Sequence, residues 1–403
     1  MVQIKAFSAL RPSKKWVREV AALPYDVMNQ SEAVEMVKGK PYSFLRIDKP
    51  EIEHTEKGEM LYQKAGEQLE EWIHKGIFKQ ESEALYIYEL ETTSCHQLGL
   101  MGLVSTEDYN RGVIKKHELT RKDKEQERIW HIEKCKAHTG PVYLVDQTLD
   151  QLGEQLEKYA QNHLPLFEET YEDQVTHRIY QITEAFIMNQ FMNQFRSVPC
   201  LYIADGHHRA AAACKVAERC GANFPEAKAF LAVIFPKSQL NILAYHRVIQ
   251  DKSGYSKSML WQRLTRSFDI SAVQEEIYLP SERHIIGMRY NKQWYALKCK
   301  QDYLSSLIGS EQLDVSILQN QVLAPLFKIT NPKEDPCIDF IPAIGSPFVL
   351  NERTNSVGQI AFSLFPTSID ELIEVANHNE LMPPKSTWFE PKLRSGFILH
   401  SFK

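Results

Sequence analysis

The chain has 403 residues, of which 43% are hydrophobic and 25% are charged, and its formal net charge is −5. This composition is typical of a soluble globular protein. The length suits two domains, or one large domain with an appendage. The net negative charge provides no overall attraction to nucleic acid or to an anionic membrane, so we expect neither among the partners.

Cysteine usage and the N-terminal residues indicate the cytoplasm. The seven cysteines are scattered without a Cys-x-x-Cys motif, which argues against a zinc ribbon and against a disulfide framework. The N-terminal residues lack the apolar core of a signal peptide, and no apolar run is long enough to cross a bilayer. We therefore expect a cytoplasmic protein with reduced thiols.

The first half of the chain alternates helices and strands. Apolar residues at helical spacing predict a helix over 55–75, and two strand-like runs predict a hairpin over 84–90 and 98–105. The next predicted elements are a helix ending near 137, a strand at 141–145, a helix at 149–159, an extended segment at 175–182 and a helix at 183–195.

A charged segment at 117–128 leads into the helix that ends near 137. Thr120 or Asp123 would cap this helix, and Lys124 and Arg128 at i and i+4 would lie on one face. Two like charges at that spacing are unfavourable unless an anion lies between them. The segment is therefore either a solvated helix face or part of an anion site.

The most informative segment is an apolar run that ends at Asp205-Gly206 and continues as the alanine-rich stretch after His207-His208-Arg209. It predicts a strand, a turn and a helix whose first turn carries the polar residues. A helix N-terminus with an arginine beside it suits a phosphate group. A simple N-cap would explain Asp205 and Gly206 but not the next three residues, so we favour the phosphate site. Adjacent histidines on a helix point apart, so we predict no metal site there.

Beyond the turn, strands are predicted at 229–235 and 241–245, and the pattern changes after about residue 253. The later predicted elements are a helix at 256–267, strands at 283–290 and 293–297, a helix at 314–327 and a strand–helix pair over 358–376. We infer two regions, 1–253 and 254–403, and an α+β fold class.

Three other motifs are less specific. Pro24-Tyr25-Asp26 is typical of a turn, and His246-Arg247 is a pair common on surfaces. The proline-interrupted segment 382–396 contains Lys385-Ser386-Thr387 and Lys392 but not the glycines of a phosphate loop. It is either a rigid cover over a site or a structural clasp, and we favour the clasp.

Together these motifs resemble a known family. The Asp-Gly-His-His-Arg turn resembles the phosphate-binding box of the ParB/sulfiredoxin superfamily, and the whole chain resembles the bacterial SerK-like family, long classed as a domain of unknown function. The motifs that carry the resemblance are Leu23-Pro-Tyr-Asp-Val27, Tyr42-Ser-Phe-Leu-Arg46, His117-Glu-x-Thr120 with Lys124, Glu125 and Arg128, Ile203–Arg209, His246-Arg247, and Met382-Pro-Pro-Lys-Ser-Thr387 with Pro391-Lys392.

The resemblance implies a ParB/sulfiredoxin-like nucleotide-binding core with a mixed sheet and a smaller α+β C-terminal region. Characterised archaeal relatives phosphorylate free L-serine with ADP, and a staphylococcal relative uses ATP. We therefore expect a kinase that uses ADP or ATP with Mg²⁺ and takes an amino acid as its second substrate. A homodimer is left open.

The resemblance also implies site residues. Asp205, Gly206, His207, His208 and Arg209 would contact the phosphates. Thr120, Lys124 and Arg128 would complete the nucleotide site or clamp the acceptor carboxylate. Asp26, where the kinases have glutamate, would accept the proton of the serine hydroxyl, with Glu118 as the alternative base and His208 as a further catalytic candidate.

Two alternatives to a kinase stay open. One is a nucleotide-gated switch or adaptor like the ParB proteins, although no helix-turn-helix with a basic face follows the core. The other is a family member that binds nucleotide without catalysis.

Overall fold

The computed structural model describes residues 1–149 and 151–402, which form two compact units. The first unit comprises 1–240 with 391–403, and the second comprises 241–390. The predicted α+β class is confirmed, since each unit combines a β-sheet with helices. Among the described residues, no helix is both long enough and apolar enough to span a bilayer.

The first unit is built on a ten-stranded mixed sheet. Its central path runs β5-β10-β7-β11-β4-β3-β9-β8, with β1 on β4 and β2 on β3. The strands up to residue 240 are β1 (Ile4–Lys5), β2 (Phe7–Pro12), β3 (Phe78–Glu91), β4 (His96–Ser105), β5 (Ile114–Lys115), β6 (Ala137–His138), β7 (Val142–Asp146), β8 (Phe167–Thr170), β9 (Thr176–Ile182), β10 (Leu201–Asp205) and β11 (Ala229–Pro236).

Helices cover the faces of this sheet, and the predicted helices before residue 220 are present among them. The helices are α1 (Val17–Val20), α2 (Gln30–Met36), α3 (Leu45–Asp48), α4 (Glu59–His74), α5 (Thr106–Asn110), α6 (Lys122–Cys135), α7 (Leu152–Asn162), α8 (Ala185–Phe195) and α9 (His207–Cys220). One core packs Leu156 of α7 and Phe195 of α8 with the sheet residues Ile87 and Ile234. A second core gathers Trp72 of α4 with other buried residues.

The second unit contains an antiparallel six-stranded sheet in the order β14-β16-β15-β18-β13-β17. Its strands are β12 (Ile242–Leu243), β13 (Tyr245–Gln250), β14 (Phe268–Ala272), β15 (Ile285–Tyr290), β16 (Gln293–Cys299), β17 (Ile338–Pro342), β18 (Gln359–Ser363) and β19 (Trp388–Phe389). Its helices are α10 (Lys257–Leu264), α11 (Gln301–Leu304), α12 (Asp314–Leu318), α13 (Ala324–Phe327), α14 (Val349–Glu352) and α15 (Ile369–Asn377), with a π-helical stretch at Gln319–Leu323.

The last segment of the chain returns to the first unit, so the units are divided differently from the predicted regions 1–253 and 254–403. Ser395 bridges to Ala22, Leu399 bridges to Leu10, and the final strand β20 (His400–Ser401) pairs with β6. These backbone pairings join residues hundreds of positions apart, and they bring Lys392, Arg394 and Ser395 into the first unit.

Candidate functional site

The Asp205-Gly206 turn has the predicted strand–turn–helix geometry. Strand β10 ends at Asp205, and Gly206 adopts φ +96°, which few side-chain-bearing residues tolerate, before α9 begins at His207. A Cβ at position 206 would lie 3.1 Å from Cζ of Arg209, so glycine also leaves space for the guanidinium. The turn thus holds Arg209 against the backbone at the start of a 14-residue helix.

Two cations surround the carboxylate of Asp205. Nζ of Lys392 donates to Oδ2 at 3.0 Å, and Nη2 of Arg209 lies 3.8 Å from Oδ1. Burial opposes ionisation of Asp205, but Lys392 and Arg209 outweigh burial and hold the pKa of the carboxyl below its usual range. Asp205 is therefore an ionised partner for the two cations.

The guanidinium of Arg209 keeps unused hydrogen-bonding capacity. Its Nη1 donates to the carbonyl oxygen of Pro141, whereas its buried Nε has no hydrogen-bond partner. Burial disfavours its charged form, yet the nearby charges of Asp26 and Asp205 raise the pKa of Arg209. A buried N–H donor without a partner is costly and is usually satisfied by water or a ligand.

A second arginine, Arg128 of α6, lies in a buried cluster with Asp48 and Tyr25. Its Nη2 donates to the backbone oxygen of Asp48 at 3.0 Å, and its Nη1 lies 4.0 Å from the Asp48 carboxylate. The guanidinium carbon lies 3.9 Å from the centre of the Tyr25 ring, within cation–π range. Nε of Arg128, like that of Arg209, is buried without a partner.

Asp48 holds this cluster together. Its side chain is 2% exposed and accepts a hydrogen bond from Oγ1 of Thr139 at 3.0 Å. Burial raises the pKa of Asp48, while Arg128 and the hydroxyl donors Ser395 and Thr139 act in the opposite direction. His131 lies 3.5 Å from the same carboxylate, and burial holds the pKa of His131 well below its usual range, so that histidine is neutral.

The two arginines line one narrow cavity. Its volume of about 20 Å³ is enough for about one water molecule. Besides Arg128 and Arg209, the lining residues include Tyr25, Asp48, Thr139, Gly140 and Ser395. A small space with two guanidinium groups and two unpartnered N–H donors matches an anionic oxygen better than an apolar group.

The predicted histidines pack against the 117–121 loop. The rings of His117 and His207 meet edge to face at 4.5 Å, and His208 accepts a hydrogen bond from the backbone N–H of Arg121 at 3.0 Å. Burial lowers the pKa of His117 to about 4 and that of His207 well below its usual range. Both rings are therefore neutral near pH 7, and the loop that carries Glu118 is fixed beside the turn.

The structure separates residues that the sequence placed on one helix face. Lys124 is exposed and pairs with Glu127 at 2.8 Å, whereas Arg128 is buried in the cavity wall. Thr120 donates to Glu125 at 2.6 Å. Lys124 faces solvent and Arg128 faces the core, so the two side chains do not lie together in this conformation.

The two candidate bases flank the turn from different segments. Asp26 is exposed in the turn after Tyr25, and its charge acts on both Tyr25 and Arg209. Glu118 is half-buried in the loop whose neighbours contact His207 and His208. Both carboxylates thus belong to segments that adjoin the arginine-lined cavity or the turn.

The residues of the first unit fit phosphate better than a directly held metal. Across 1–149 and 151–402, no group of three or more His, Cys, Asp or Glu side chains is arranged to hold an ion. The buried guanidinium donors, in contrast, match phosphate oxygens. A magnesium ion would therefore depend on the phosphates of its nucleotide for most of its ligands.

Several residues of the site were not predicted from the sequence. Asp48, Thr139 and Ser395 carry no local motif, and they reach the cavity only through non-local packing. Tyr25 was noted only as part of a turn. Lys392 lies in the proline-interrupted segment that was singled out, and its contact with Asp205 assigns part of that segment to the first unit.

The His246-Arg247 pair and the Lys385-Ser386-Thr387 segment lie within the second unit. Nη2 of Arg247 donates to the backbone oxygen of Lys385 at 2.9 Å, and Ser386 donates to the oxygen of Pro383 at 2.6 Å. His246 accepts from the backbone N–H of Leu364 at 3.2 Å. Arg247 thus holds the proline-rich backbone, and the predicted clasp stays a prediction.

Comparison with known proteins gives one extensive match. A family model described as "Protein of unknown function (DUF1015)" matches residues 4–316. No curated protein matches the sequence.

Solved structures give distant likenesses. SbnI with a C-terminal truncation, from Staphylococcus aureus, is 12% identical at a TM-score of 0.39, over 72% of this chain and 84% of that one. A free serine kinase in complex with AMP is 12% identical at 0.38, over 72% and 86%. A conserved hypothetical protein from Pyrococcus furiosus is 12% identical at 0.37, over 73% and 92%.

Proposed function

The chain belongs to the DUF1015 family, whose description assigns no activity, and from its site we propose that it is a nucleotide-dependent small-molecule kinase. The acceptor we propose is free L-serine and the product O-phosphoserine. One observation carries this proposal: two buried arginines, each with an unpartnered Nε–H, line one cavity next to a glycine turn at a helix N-terminus.

The donors at the turn support nucleotide binding. Gly206 lets the backbone approach a phosphate, and the first N–H groups of α9 point along the positive end of the helix dipole. Arg209 adds a charge-assisted donor. His207 and His208 form part of the surface at the same turn. We propose that this is a ParB/sulfiredoxin-like nucleotide core that takes the phosphates of ADP or ATP.

Phosphoryl transfer needs positioning and charge stabilisation more than covalent help from the protein. In the proposed step, the serine hydroxyl oxygen attacks the terminal phosphorus and the bond from that phosphorus to the nucleotide oxygen breaks. The hydroxyl proton passes to a carboxylate, either Asp26 or Glu118. The products are O-phosphoserine and a nucleotide shortened by one phosphate. When bound with the nucleotide, Mg²⁺ supplies neutralisation of phosphate charge.

Arg128 has a separate place in this proposal. It is fixed by Asp48 and Tyr25, and its free Nε–H lines the same cavity as Arg209. It would stabilise charge on the phosphates or hold the carboxylate of the acceptor.

Lys124 and Thr120 have surface partners in this conformation, so their proposed contribution requires the segment to rearrange around the nucleotide.

The acceptor is proposed from the motif resemblance described above. Free serine is the substrate of characterised archaeal relatives of the family that the separated motifs resemble, and a buried guanidinium suits its carboxylate. We also propose a cytoplasmic protein that acts without nucleic acid or membrane partners. A homodimer remains open in this proposal.

A nucleotide-gated switch without kinase activity is the second candidate. It is favoured by the exposure of Asp26, because the buried carboxylates Asp48 and Asp205 are engaged by cations and the first candidate base is a surface side chain. Under this alternative the turn binds nucleotide, as in a ParB-like clamp, and Asp26 stays a surface residue of its turn.

Turnover separates the two candidates. We expect O-phosphoserine when the protein is incubated with Mg²⁺, L-serine and either ADP or ATP, with detection by mass spectrometry. Omission of nucleotide or Mg²⁺ should abolish product. Absence of product with both nucleotides across serine, threonine, homoserine and other small hydroxyl compounds, in a protein that binds nucleotide, would favour the switch.

The base is identified by two matched substitutions. We expect Asp26→Asn to lower kcat by about 10²–10⁴-fold, the usual contribution of a general base, with nucleotide affinity near wild type. Glu118→Gln should leave kcat within a few-fold of wild type. Steady-state rates and calorimetric nucleotide titrations measure both effects, and the reverse pattern would transfer the role to Glu118.

A further inference from the structure

The second unit contains a cavity that the proposed kinase reaction does not use. This open cavity has a volume of about 620 Å³, within the usual range of small-molecule sites. It is lined by Arg289 and Trp294 of adjacent strands, by Asn351 of α14 and by several charged residues. Every lining residue belongs to 241–390, so the cavity is a feature of this unit alone.

Arg289 is a buried cation that lines the cavity without an acidic partner. It is 7% exposed, and its Nη1 donates to backbone oxygens of Asn351 and Thr354 at 3.2 and 2.9 Å. Its Nε is buried without a hydrogen-bond partner. Burial lowers the pKa of Arg289, and no neighbouring carboxylate compensates within the described part of the chain. An anionic group in the cavity would supply the missing negative charge.

The position of Arg289 is fixed by its surroundings. Strand pairing places Arg289 opposite Trp294, whose indole Nε1 donates to Oδ1 of Asn351 at 3.0 Å. Asn351 in turn donates from Nδ2 to the backbone oxygen of Glu276 at 2.9 Å. One network therefore connects the sheet, α14 and the 273–276 loop around the cavity, so its donors are held in place before any ligand arrives.

Acidic side chains dominate the exposed part of the lining. Glu275, Glu276 and Glu352 are exposed, and Lys292 is the only other cation among the lining residues besides Arg289. A ligand with negative charge alone would be repelled by these three carboxylates before it reached Arg289. A ligand that also carries a positive group would be attracted to both parts of the lining.

We propose that this cavity binds a zwitterionic small molecule of the amino-acid class, with its carboxylate on Arg289 and its ammonium facing the glutamates. Trp294 and Phe348 provide the apolar part of the lining for the rest of the ligand. The proposal concerns a site separate from the Gly206 turn and does not depend on kinase activity.

A local probe of Trp294 tests the proposal. In protein labelled with [¹⁵N]tryptophan, the Trp294 indole resonance is assigned by Trp294→Phe and followed during titration with L-alanine, which has no hydroxyl to phosphorylate. We expect a saturable shift with L-alanine and none with propionate or isopropylamine, which carry only one of its charges. No shift with L-alanine, or an equal shift with propionate, would overturn the proposal.

Substitutions of lining residues test where the two charged groups of the ligand bind. Glu352→Gln changes an exposed side chain and should weaken L-alanine binding several-fold, whereas Glu374→Gln, an exposed glutamate outside the cavity, should not. Arg289→Gln should weaken binding about tenfold or more, since a charge-assisted hydrogen bond is lost. Arg289 also donates hydrogen bonds to backbone carbonyls near α14. If Arg289→Gln does not fold, the L-alanine affinity of Glu352→Gln tests the proposal. Undiminished binding in folded Glu352→Gln would contradict the proposed ammonium position.

Discussion

Replacement of Arg209 by alanine is expected to weaken nucleotide binding by about tenfold to a hundredfold, because a charge-assisted hydrogen bond contributes about 1.5–3 kcal/mol. Arg209 is the cation nearest the Gly206 backbone, and its Nε–H is a buried donor without a partner. Isothermal titration of ADP and ATP in the presence of Mg²⁺ measures the change. Arg209→Lys should recover only part of the affinity, since an ammonium keeps the charge but loses the planar fork.

Arg219 provides a matched control on the same helix. Its side chain is 48% exposed and pairs with Glu133 at 3.2 Å, away from the turn. Arg219→Ala removes the same charge from α9, so any effect of net charge alone appears in both variants. Equal affinities of Arg209→Ala and Arg219→Ala, with both proteins folded, would contradict the assignment of the turn as a phosphate site.

Replacement of Asp48 by alanine is expected to lower the free energy of unfolding by about 3–5 kcal/mol, because it leaves the buried Arg128 without its carboxylate. The two side chains are 2% and 6% exposed, so bulk solvent screens their interaction little. The double variant Asp48→Ala/Arg128→Met should recover most of that loss, since a buried ion pair can be replaced by apolar groups. Urea denaturation followed by tryptophan fluorescence measures these differences.

The surface pair of Arg121 and Asp123 is the control for this result. These side chains lie 2.7 Å apart but are 45% and 54% exposed, so Asp123→Ala should cost no more than about 1 kcal/mol. If Asp48→Ala lowers the free energy of unfolding no more than Asp123→Ala does, the buried cluster does not stabilise the cavity wall. Nucleotide affinity of the folded Asp48→Ala protein then shows whether the position of Arg128 matters for binding.

Regular local patterns made part of the fold predictable. The helix expected over 55–75 appears as α4, whose buried residues Leu61, Ala65 and Leu69 repeat at helical spacing. The strands predicted at 283–290 and 293–297 appear as β15 and β16, and Asn291 and Lys292 between them both adopt the positive φ of a tight turn. Each of these elements depends on interactions between neighbours in sequence.

Long-range pairing was beyond such patterns. Nothing in the residues 391–402 indicates that they pair with β6 and with bridges near residues 10 and 22, since those partners are chosen by tertiary packing. The predicted division at 253 places Lys392 and Ser395 in the C-terminal region, whereas both residues belong to the first compact unit. The short strands β1 and β5 were equally hard to predict, because two residues carry no periodicity.

The candidate site shows the same limit. The Asp205–Arg209 turn has its own sequence signal and has the expected geometry. Arg128 was identified as a cation of the site, but its partner Asp48 and the aromatic ring of Tyr25 come from other segments. By spacing alone Lys124 looked equivalent to Arg128, but its side chain faces solvent and pairs with Glu127.

The most direct test of the central claim is a crystal structure of the protein with Mg²⁺ and ADP or ATP bound. We expect the terminal phosphate against the backbone of Gly206 and the start of α9, with Arg209 in contact and Asp26 or Glu118 facing it. Nucleotide bound elsewhere, with the Gly206 turn and both arginines free of phosphate, would contradict the proposed function.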